Sequence, residues 1–208
     1  MPQTDDGIDT DVQALTASTY LALAELLDQQ TDTAWNTDSL CEGWRVREVV
    51  AHITMPSRYT PDEFVAELQA HGFDFGRLSD GLAARDADLP AATLVADLRS
   101  GILHRWVPPR GGSHGALNHA VIHTLDAAVP LGHPATVTDH ALATVLDDLT
   151  AGGVHSHFGT TVDGRRLEAT DLDWSWGSGD PLRGPAHQLA LALCGRRTGD
   201  LAGTPISS

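Results

Sequence analysis

The sequence has few basic residues, few aromatic residues and only two cysteines. Its 208 residues include 13 Lys and Arg against 28 Asp and Glu, which gives a formal net charge of -15. A nucleic-acid backbone or an anionic membrane attracts a basic surface, so this charge balance argues against both as partners. Cys41 and Cys194 lie far apart in the chain, and we expect two reduced, buried thiols rather than a disulfide framework.

Long apolar runs and several well-known motifs are also missing. No stretch approaches the roughly 18 consecutive apolar residues of a membrane-spanning helix. Acidic residues follow Met1 where a signal peptide needs basic ones, so we expect a cytoplasmic protein. No glycine-rich loop follows a strand and opens a helix, which leaves a nucleotide-phosphate site unsupported. The Gly-x-Ser-x-Gly motif of a serine hydrolase is absent as well.

Amphipathic helical segments dominate the first two thirds of the sequence. Hydrophobic residues make up 41% of the chain, which is enough for a core without disulfides. Apolar residues at three- and four-residue steps predict helices at 9–28, 44–53, 61–69, 90–106 and 113–129. Segment 72–87 has little periodicity and is predicted to be an irregular connection. The four long helices predict an up-and-down four-helix bundle over residues 1–133.

The chain changes character after residue 133. A helix is predicted at 138–149, and a turn at 162–165. Alternating apolar and polar side chains predict short strands at 166–170 and 173–176, followed by a turn at 177–181 and a closing helix at 185–194. The sequence therefore predicts a mainly α protein with a small C-terminal α/β subdomain at 134–208.

His119 and His123 are the main chemical signal in the sequence. Residues at i and i+4 share one face of a helix, so a single helix aims both imidazoles at one point. His52 lies close to the apolar stripe of its own helix and is the candidate third ligand. Three protein ligands with one open position make the catalytic form of a zinc site. Asp126 is interpreted as an outer partner of an imidazole or as a structural charge, with direct ligation left open.

Other interpretations of the histidines remain open from the residues alone. With 11 histidines in the chain, a chance pair at this spacing is expected, so His119 and His123 also fit ordinary structural histidines. His155 and His157 alternate near the start of a possible strand and form a competing pair, although such a pair is more typical of a polar strand edge. The remaining histidines have no partner at a recognisable ligand spacing.

Several segments of the sequence resemble one known family. They are residues 39–52 (SLCEGWRVREVVAH), 123–126 with 130–132, 167–177, 183–186 and 194–196. In this order they resemble the mycothiol-dependent maleylpyruvate isomerases, which belong to the DinB-like superfamily of metal-binding four-helix bundles. The similar segments together cover about half of the chain.

The resemblance implies a divalent metal, usually zinc, held by His52, position 119 and His123. It also implies the thiol cofactor mycothiol, which would bind the open metal position as a thiolate and attack a small electrophile. Arg196 takes the place of an arginine that reaches the active site, where it could hold a carboxylate of substrate or cofactor. The alternative for Arg196 is a basic residue favoured at a helix C-terminus.

The chain also departs from that family. The isomerases usually carry Glu at the position of His119, and the segment between His52 and His119 is shorter here, so the resemblance implies no particular substrate. The predicted function is a zinc-dependent thiol transferase or isomerase that uses a mycothiol-type thiol on a small electrophile, as a monomer or homodimer. The alternatives are a metal-dependent hydrolase or lyase without a thiol, and a non-catalytic metal-binding stress-response protein.

Overall fold

The computed structural model describes residues 8–109, 111–152, 158–197 and 201–202. Contacts divide the chain into two compact units, Met1–Thr136 and Val137–Ser208. The predicted fold class is confirmed, because helices make up most of the described chain and a small three-stranded sheet lies near its C-terminus. Neither Cys41 nor Cys194 is in a disulfide. Within the described residues, no helix has both the length and the apolar character needed to cross a membrane.

The first unit is a helical bundle. Its helices are α1 (Thr10–Asp28), α2 (Asp32–Trp35), α3 (Val46–Ile53), α4 (Pro61–Ala70), α5 (Phe75–Asp86), α6 (Ala91–Leu98), α7 (Gly101–Arg105) and α8 (Gly112–Ala128). Local sequence sets several helix starts. Asp9 caps α1 by accepting from two backbone amides, and Thr60 forms a capping box with Glu63 at the start of α4. Both arrangements satisfy amide groups that have no partner inside a helix.

Helix α8 is central to this bundle. It packs against α1 and α3, while α3 also packs against α5 and α1 against α6 and α7. Helices α1, α3, α6, α7 and α8 contribute to one shared apolar core, whose members include Tyr20, Leu23, Leu27, Trp35, Val49, Val50, Ile53, Leu94, Leu98 and Leu103. Because α3 packs directly on α8, His52 lies beside His119 and His123.

The prediction of an irregular connection at 72–87 was wrong, because this segment contains α5. Asp74 caps the helix by accepting from a backbone amide, and Leu78 and Leu82 are fully or almost fully buried. Two glycines within α5 lower its intrinsic helix propensity and weaken the sequence pattern. Leu78 and Leu82 pack in a small core with Met55 and side chains of α4, and α5 also packs on α3. These contacts compensate for the low propensity, and only the tertiary structure supplies them.

The prediction of a single helix at 90–106 was also wrong, because the helix is interrupted between α6 and α7. Ser100 lies between the two helices, and its hydroxyl accepts a hydrogen bond from the amide of Ile102 to cap α7. Serine competes with the helical backbone for hydrogen bonds and favours helix starts. The break is short enough that Leu103 still reaches the shared core, where it is fully buried.

Arg58 connects α5 and α6 to the end of α3. It follows a 3-10 turn at Met55–Ser57, and its guanidinium pairs with Asp86 at 3.1 Å and Asp97 at 2.8 Å. The same group donates to the carbonyl oxygen of Ala51 at 2.5 Å. Charge-assisted bonds of this kind are stronger than neutral ones. They join α3, α5 and α6 at Ala51, the residue that precedes His52.

The second unit combines two helices with a three-stranded sheet. Its elements are α9 (Asp139–Thr150), β1 (Arg165–Ala169), β2 (Ser175–Gly177), β3 (Asp180–Gly184) and α10 (Ala186–Leu193). The strand order is β2-β1-β3, and β1 pairs antiparallel with β2 and parallel with β3. Leu167 at the centre of β1 is opposite Trp176 on one side and Leu182 on the other.

The turn predicted at 177–181 was wrong in its second half, because Asp180 and Pro181 begin β3. Gly179 has φ +123, and a Cβ there would lie 2.0 Å from the carbonyl oxygen of Gly164. Only glycine fits such a close approach, which lets the chain cross from one side of β1 to the other. Proline is tolerated because β3 is an edge strand. The competing histidines at 155 and 157 lie outside the described residues.

Candidate metal centre

Three histidine rings meet where α3 packs on α8. Nε2 of His52 and Nε2 of His119 are 3.1 Å apart, and the three ring centroids, including that of His123, are 4.8 to 5.1 Å apart. One ligand atom from each ring lies within 4.8 Å of the others. Two nitrogens bound to a tetrahedral zinc ion at about 2.0–2.1 Å are separated by about 3.3 Å. The donor set and its spacing therefore fit one divalent ion after small adjustments.

Each of the three rings contacts a polar side chain through its other nitrogen. The Nδ1 atoms are paired as follows: His52 with Ser79 Oγ (2.9 Å), His119 with the Tyr20 hydroxyl (3.4 Å) and His123 with Asp126 Oδ2 (3.0 Å). Such outer partners fix the orientation and tautomer of a metal-binding histidine. Because Nδ1 is engaged in all three cases, Nε2 is the nitrogen that remains for a shared ion.

Two of the imidazoles have lowered pKa values. The pKa of His52 falls from 6.5 to about 3. Burial is the main cause and the neighbouring His123 lowers the pKa further, whereas Asp126 raises it. At His119, burial and then the two other histidines lower the pKa well below its usual value. A neutral imidazole keeps the lone pair that a metal needs. Both rings therefore have the ligating form at neutral pH.

Two tryptophan rings border the histidine cluster. The ring centroid of Trp44 is 5.1 Å from that of His52, and the centroid of Trp106 is 5.5 Å from that of His119. His52 is buried, whereas His119 and His123 keep some exposed surface. The cluster is thus accessible from solvent beside two large aromatic walls, which suit a small molecule with apolar or conjugated parts.

The structure brings together the three histidines that the sequence singled out, and it places Asp126 on the outer nitrogen of His123. The sequence did not predict the other outer partners. Ser79 lies on α5, in the segment predicted to be irregular, and Tyr20 fits the apolar stripe of α1 as an ordinary core residue. A polar residue on the buried face of α5 would have been a signal, had that helix been predicted. The metal-binding role of the histidines stays a prediction.

Arg196 lies in the second unit, three residues after α10 ends. Its Nη1 donates to the carbonyl oxygen of Cys194 at 3.3 Å, and its side chain is half-buried. This contact agrees with the helix C-terminal interpretation, because basic groups near a helix end can bind its last carbonyls. The role of Arg196 as an anion clamp stays a prediction.

Comparisons with known proteins show which proteins this chain resembles. The family profile described as "Mycothiol maleylpyruvate isomerase N-terminal domain" matches residues 19–107, a stretch that includes His52 and ends before α8. No curated protein matches the chain. Two similar solved structures are a mycothiol-dependent maleylpyruvate isomerase and a histidine-to-alanine mutant of such an isomerase.

Both solved structures resemble the present chain over almost its full length. Each has 14% sequence identity, covers 93% of this chain and 92% of its own, and superposes with a TM-score of 0.58. At this identity the likeness shows a shared fold. Taken with the profile match, it leads to one conclusion: residues 19–107 are similar to the mycothiol maleylpyruvate isomerase N-terminal domain, and the chain shares the fold of these isomerases.

Proposed function

We propose that the protein is a metal-dependent enzyme that uses a mycothiol-type thiol to modify or isomerise a small electrophile. His52, His119 and His123 are the proposed ligands, and zinc is the expected ion. The observation that carries the proposal is the convergence of three imidazoles, each oriented by a separate outer partner. The family of the N-terminal domain supports the choice of mycothiol as the thiol.

A divalent metal held by these residues would stabilise the deprotonated form of a thiol that binds at its open position, and this form is the nucleophile. The residues of this chain prepare the site for that chemistry. Burial keeps His52 neutral at physiological pH, and Asp126 holds the ring of His123. Trp44 and Trp106 border the cluster with apolar ring surface. These contacts remove the need to reorganise ligands when a substrate arrives.

His119 bears on which reaction the proposed site performs. Three imidazoles are neutral donors, so the full charge of a divalent ion remains to polarise the thiol and the electrophile. The maleylpyruvate isomerases usually place a carboxylate at this position, which would cancel part of that charge. We therefore propose thiol transfer or isomerisation as the reaction class and carry over no substrate from the isomerases.

Turnover is expected to require a low-molecular-weight thiol. The zinc-loaded full-length protein would be assayed with a panel of small conjugated electrophiles, with mycothiol, with a thiol lacking its sugar groups, and with no thiol. Product is expected with mycothiol and only background reaction without thiol. Equal turnover without thiol would contradict the proposal and favour a metal-activated water, as in a hydrolase or lyase. Bound metal without turnover of any electrophile would favour a non-catalytic metal-binding protein.

Replacing Arg196 with alanine is expected to weaken thiol or substrate binding while metal content is unchanged. A charge-assisted bidentate contact contributes about 1.5–3 kcal/mol, so KM should rise roughly tenfold to 100-fold. The matched control is Arg197→Ala, which removes an exposed charge at the next position and should leave KM near the wild-type value. Identical kinetics in both variants would assign Arg196 a structural role.

A further inference from the structure

A second group of metal-ligating atoms lies next to the three-histidine cluster. Sγ of Cys41 is 3.0 Å from Oδ2 of Asp126 and 3.8 Å from Nδ1 of His123. The same Asp126 oxygen is 3.0 Å from Nδ1 of His123. Sulfur, nitrogen and oxygen donors thus converge on one point, on the side of the His123 ring opposite to the nitrogen that remains for the other two histidines.

The spacing of these donors is close to that around a tetrahedral cation. With the bond lengths of a zinc ion, about 2.3 Å to sulfur and 2.0–2.2 Å to nitrogen and oxygen, ligand atoms lie about 3.4 to 3.6 Å apart. The observed separations of 3.0 and 3.8 Å bracket that range. Shifts of a few tenths of an ångström in side-chain torsions would therefore admit an ion. Asp126 is fully buried, so its charge attracts a cation with little screening by water.

The loop that carries Cys41 is fixed in place before any ion binds. The amide of Leu40 donates to the carbonyl oxygen of Asp126 at 3.1 Å, which joins the loop to α8. The hydroxyl of Ser39 donates to the carbonyl oxygen of Trp44 at 2.8 Å, and it accepts from the amide of Cys41 at 3.1 Å. Because the loop is already held by these bonds, Cys41 loses little entropy when it binds an ion.

We propose that Cys41, His123 and Asp126 form a second cation position, which takes soft divalent ions of the cadmium class. Sulfur ligands select soft ions, whereas three imidazoles suit a borderline ion such as zinc. The charges differ as well: a thiolate and a carboxylate bring two negative charges, and the three imidazoles bring none. The two positions therefore differ in the ion that each prefers.

The two positions exclude each other because they share His123. A neutral imidazole has one lone pair, on the nitrogen that lacks the proton. Nε2 ligates in the three-histidine centre, with the Nδ1 proton donated to Asp126, whereas Nδ1 ligates in the second position. When a soft ion binds there, the Cys41 proton leaves to solvent and the His123 proton is carried on Nε2. A soft ion then removes one of the three ligands from the neighbouring centre.

Cadmium binding to the metal-free full-length protein tests this proposal. Equilibrium dialysis measures affinity and stoichiometry, and ultraviolet thiolate-to-cadmium charge-transfer absorption reports the sulfur ligand. The wild type is expected to bind one cadmium ion with this absorption, and bound zinc should be displaced. Cys41→Ser should lose the absorption and bind cadmium more than about 100-fold more weakly, because loss of a ligand should exceed the roughly 10- to 100-fold cost of losing an outer partner. Its zinc affinity should stay close to that of the wild type.

Two further variants separate the positions. Cys194→Ser is the matched control, because it removes the other cysteine from the second unit and should behave as wild type. His52→Ala should lose zinc affinity yet keep the cadmium absorption, since only the three-histidine centre uses this ring. The proposal is overturned if the absorption persists in Cys41→Ser, if His52→Ala loses cadmium and zinc together, or if zinc and cadmium bind simultaneously. None of these outcomes depends on the thiol or on turnover, so they are independent of the proposed enzymatic function.

Discussion

His123→Ala is expected to lose most of its stoichiometric metal and, with it, thiol-dependent turnover. His123 contributes one of three nitrogen donors, and its ring also connects the cluster to the buried carboxylate of Asp126. Loss of an outer partner alone typically weakens metal binding by about 10- to 100-fold, so loss of a ligand should exceed about 100-fold. Elemental analysis of the purified variant and zinc titration of the metal-free form measure the effect.

The matched control for this change lies on the same helix. His114 is exposed near the start of α8, and His114→Ala should keep the full metal content. Circular dichroism and urea unfolding of both variants show whether the fold survives, because removal of the His123 ring also takes a hydrogen-bond partner from Asp126. A full equivalent of tightly bound metal in a folded His123→Ala protein would show that His123 is not a ligand.

Acidification of the metal-free protein is expected to lower its free energy of unfolding between about pH 6.5 and pH 3. In the unfolded chain His52 binds a proton near pH 6.5, but in the folded protein its pKa is about 3. The unfolded state therefore holds more protons in this window, and stability falls as the pH falls. Each pH unit costs about 1.4 kcal/mol, so acidification from pH 6.5 to 5 costs about 2 kcal/mol through His52 alone.

His119 acts in the same direction, because its pKa is also lowered. The stability lost through both histidines is a substantial part of the roughly 5–15 kcal/mol that stabilises a typical domain. The contribution of His52 is isolated by comparison of urea unfolding for wild type and His52→Gln across this pH range. Stability of the wild type should decline more steeply, whereas the control His133→Gln, which changes an exposed histidine in the same unit, should follow the wild type. Parallel curves for His52→Gln and wild type would contradict the prediction.

Added zinc should raise the free energy of unfolding of the wild type, because an ion that binds only the folded state stabilises that state. The shift should shrink as the pH falls, since a protonated imidazole cannot ligate. This behaviour distinguishes a metal centre from a set of structural histidines, for which added zinc would leave the unfolding curves in place.

The sequence alone was sufficient for the elements whose apolar pattern is strong. The spacing of Leu23 and Leu27 predicted α1, and the i and i+4 relation of His119 and His123 placed two imidazoles on one face of α8. Both are local properties of a helix with a fixed period, so no tertiary contact is needed to recognise them. The family resemblance that the sequence showed is likewise confirmed for residues 19–107.

Elements with weak local signals could not be predicted in this way. Helix α5 contains glycines and only a short apolar stripe, and it forms because that stripe packs with Met55 and side chains of α4 while the helix also packs on α3. Strand β3 begins with Asp180 and Pro181, which are unusual in strands, and it forms because β1 provides a parallel partner. In both cases, contacts between residues distant in the chain compensate for low local propensity.

The histidine pair of α8 and the inward position of His52 were determined by the sequence itself, because helical periodicity and apolar patterning act over a few residues. Only the tertiary structure decided that Ser79 and Tyr20 hold the other two rings and that Cys41 lies against Asp126. Their sequence separations from these partners range from 27 to 99 residues. No local pattern encodes such contacts, because they arise when the helices pack around one core and bring distant side chains within hydrogen-bonding distance.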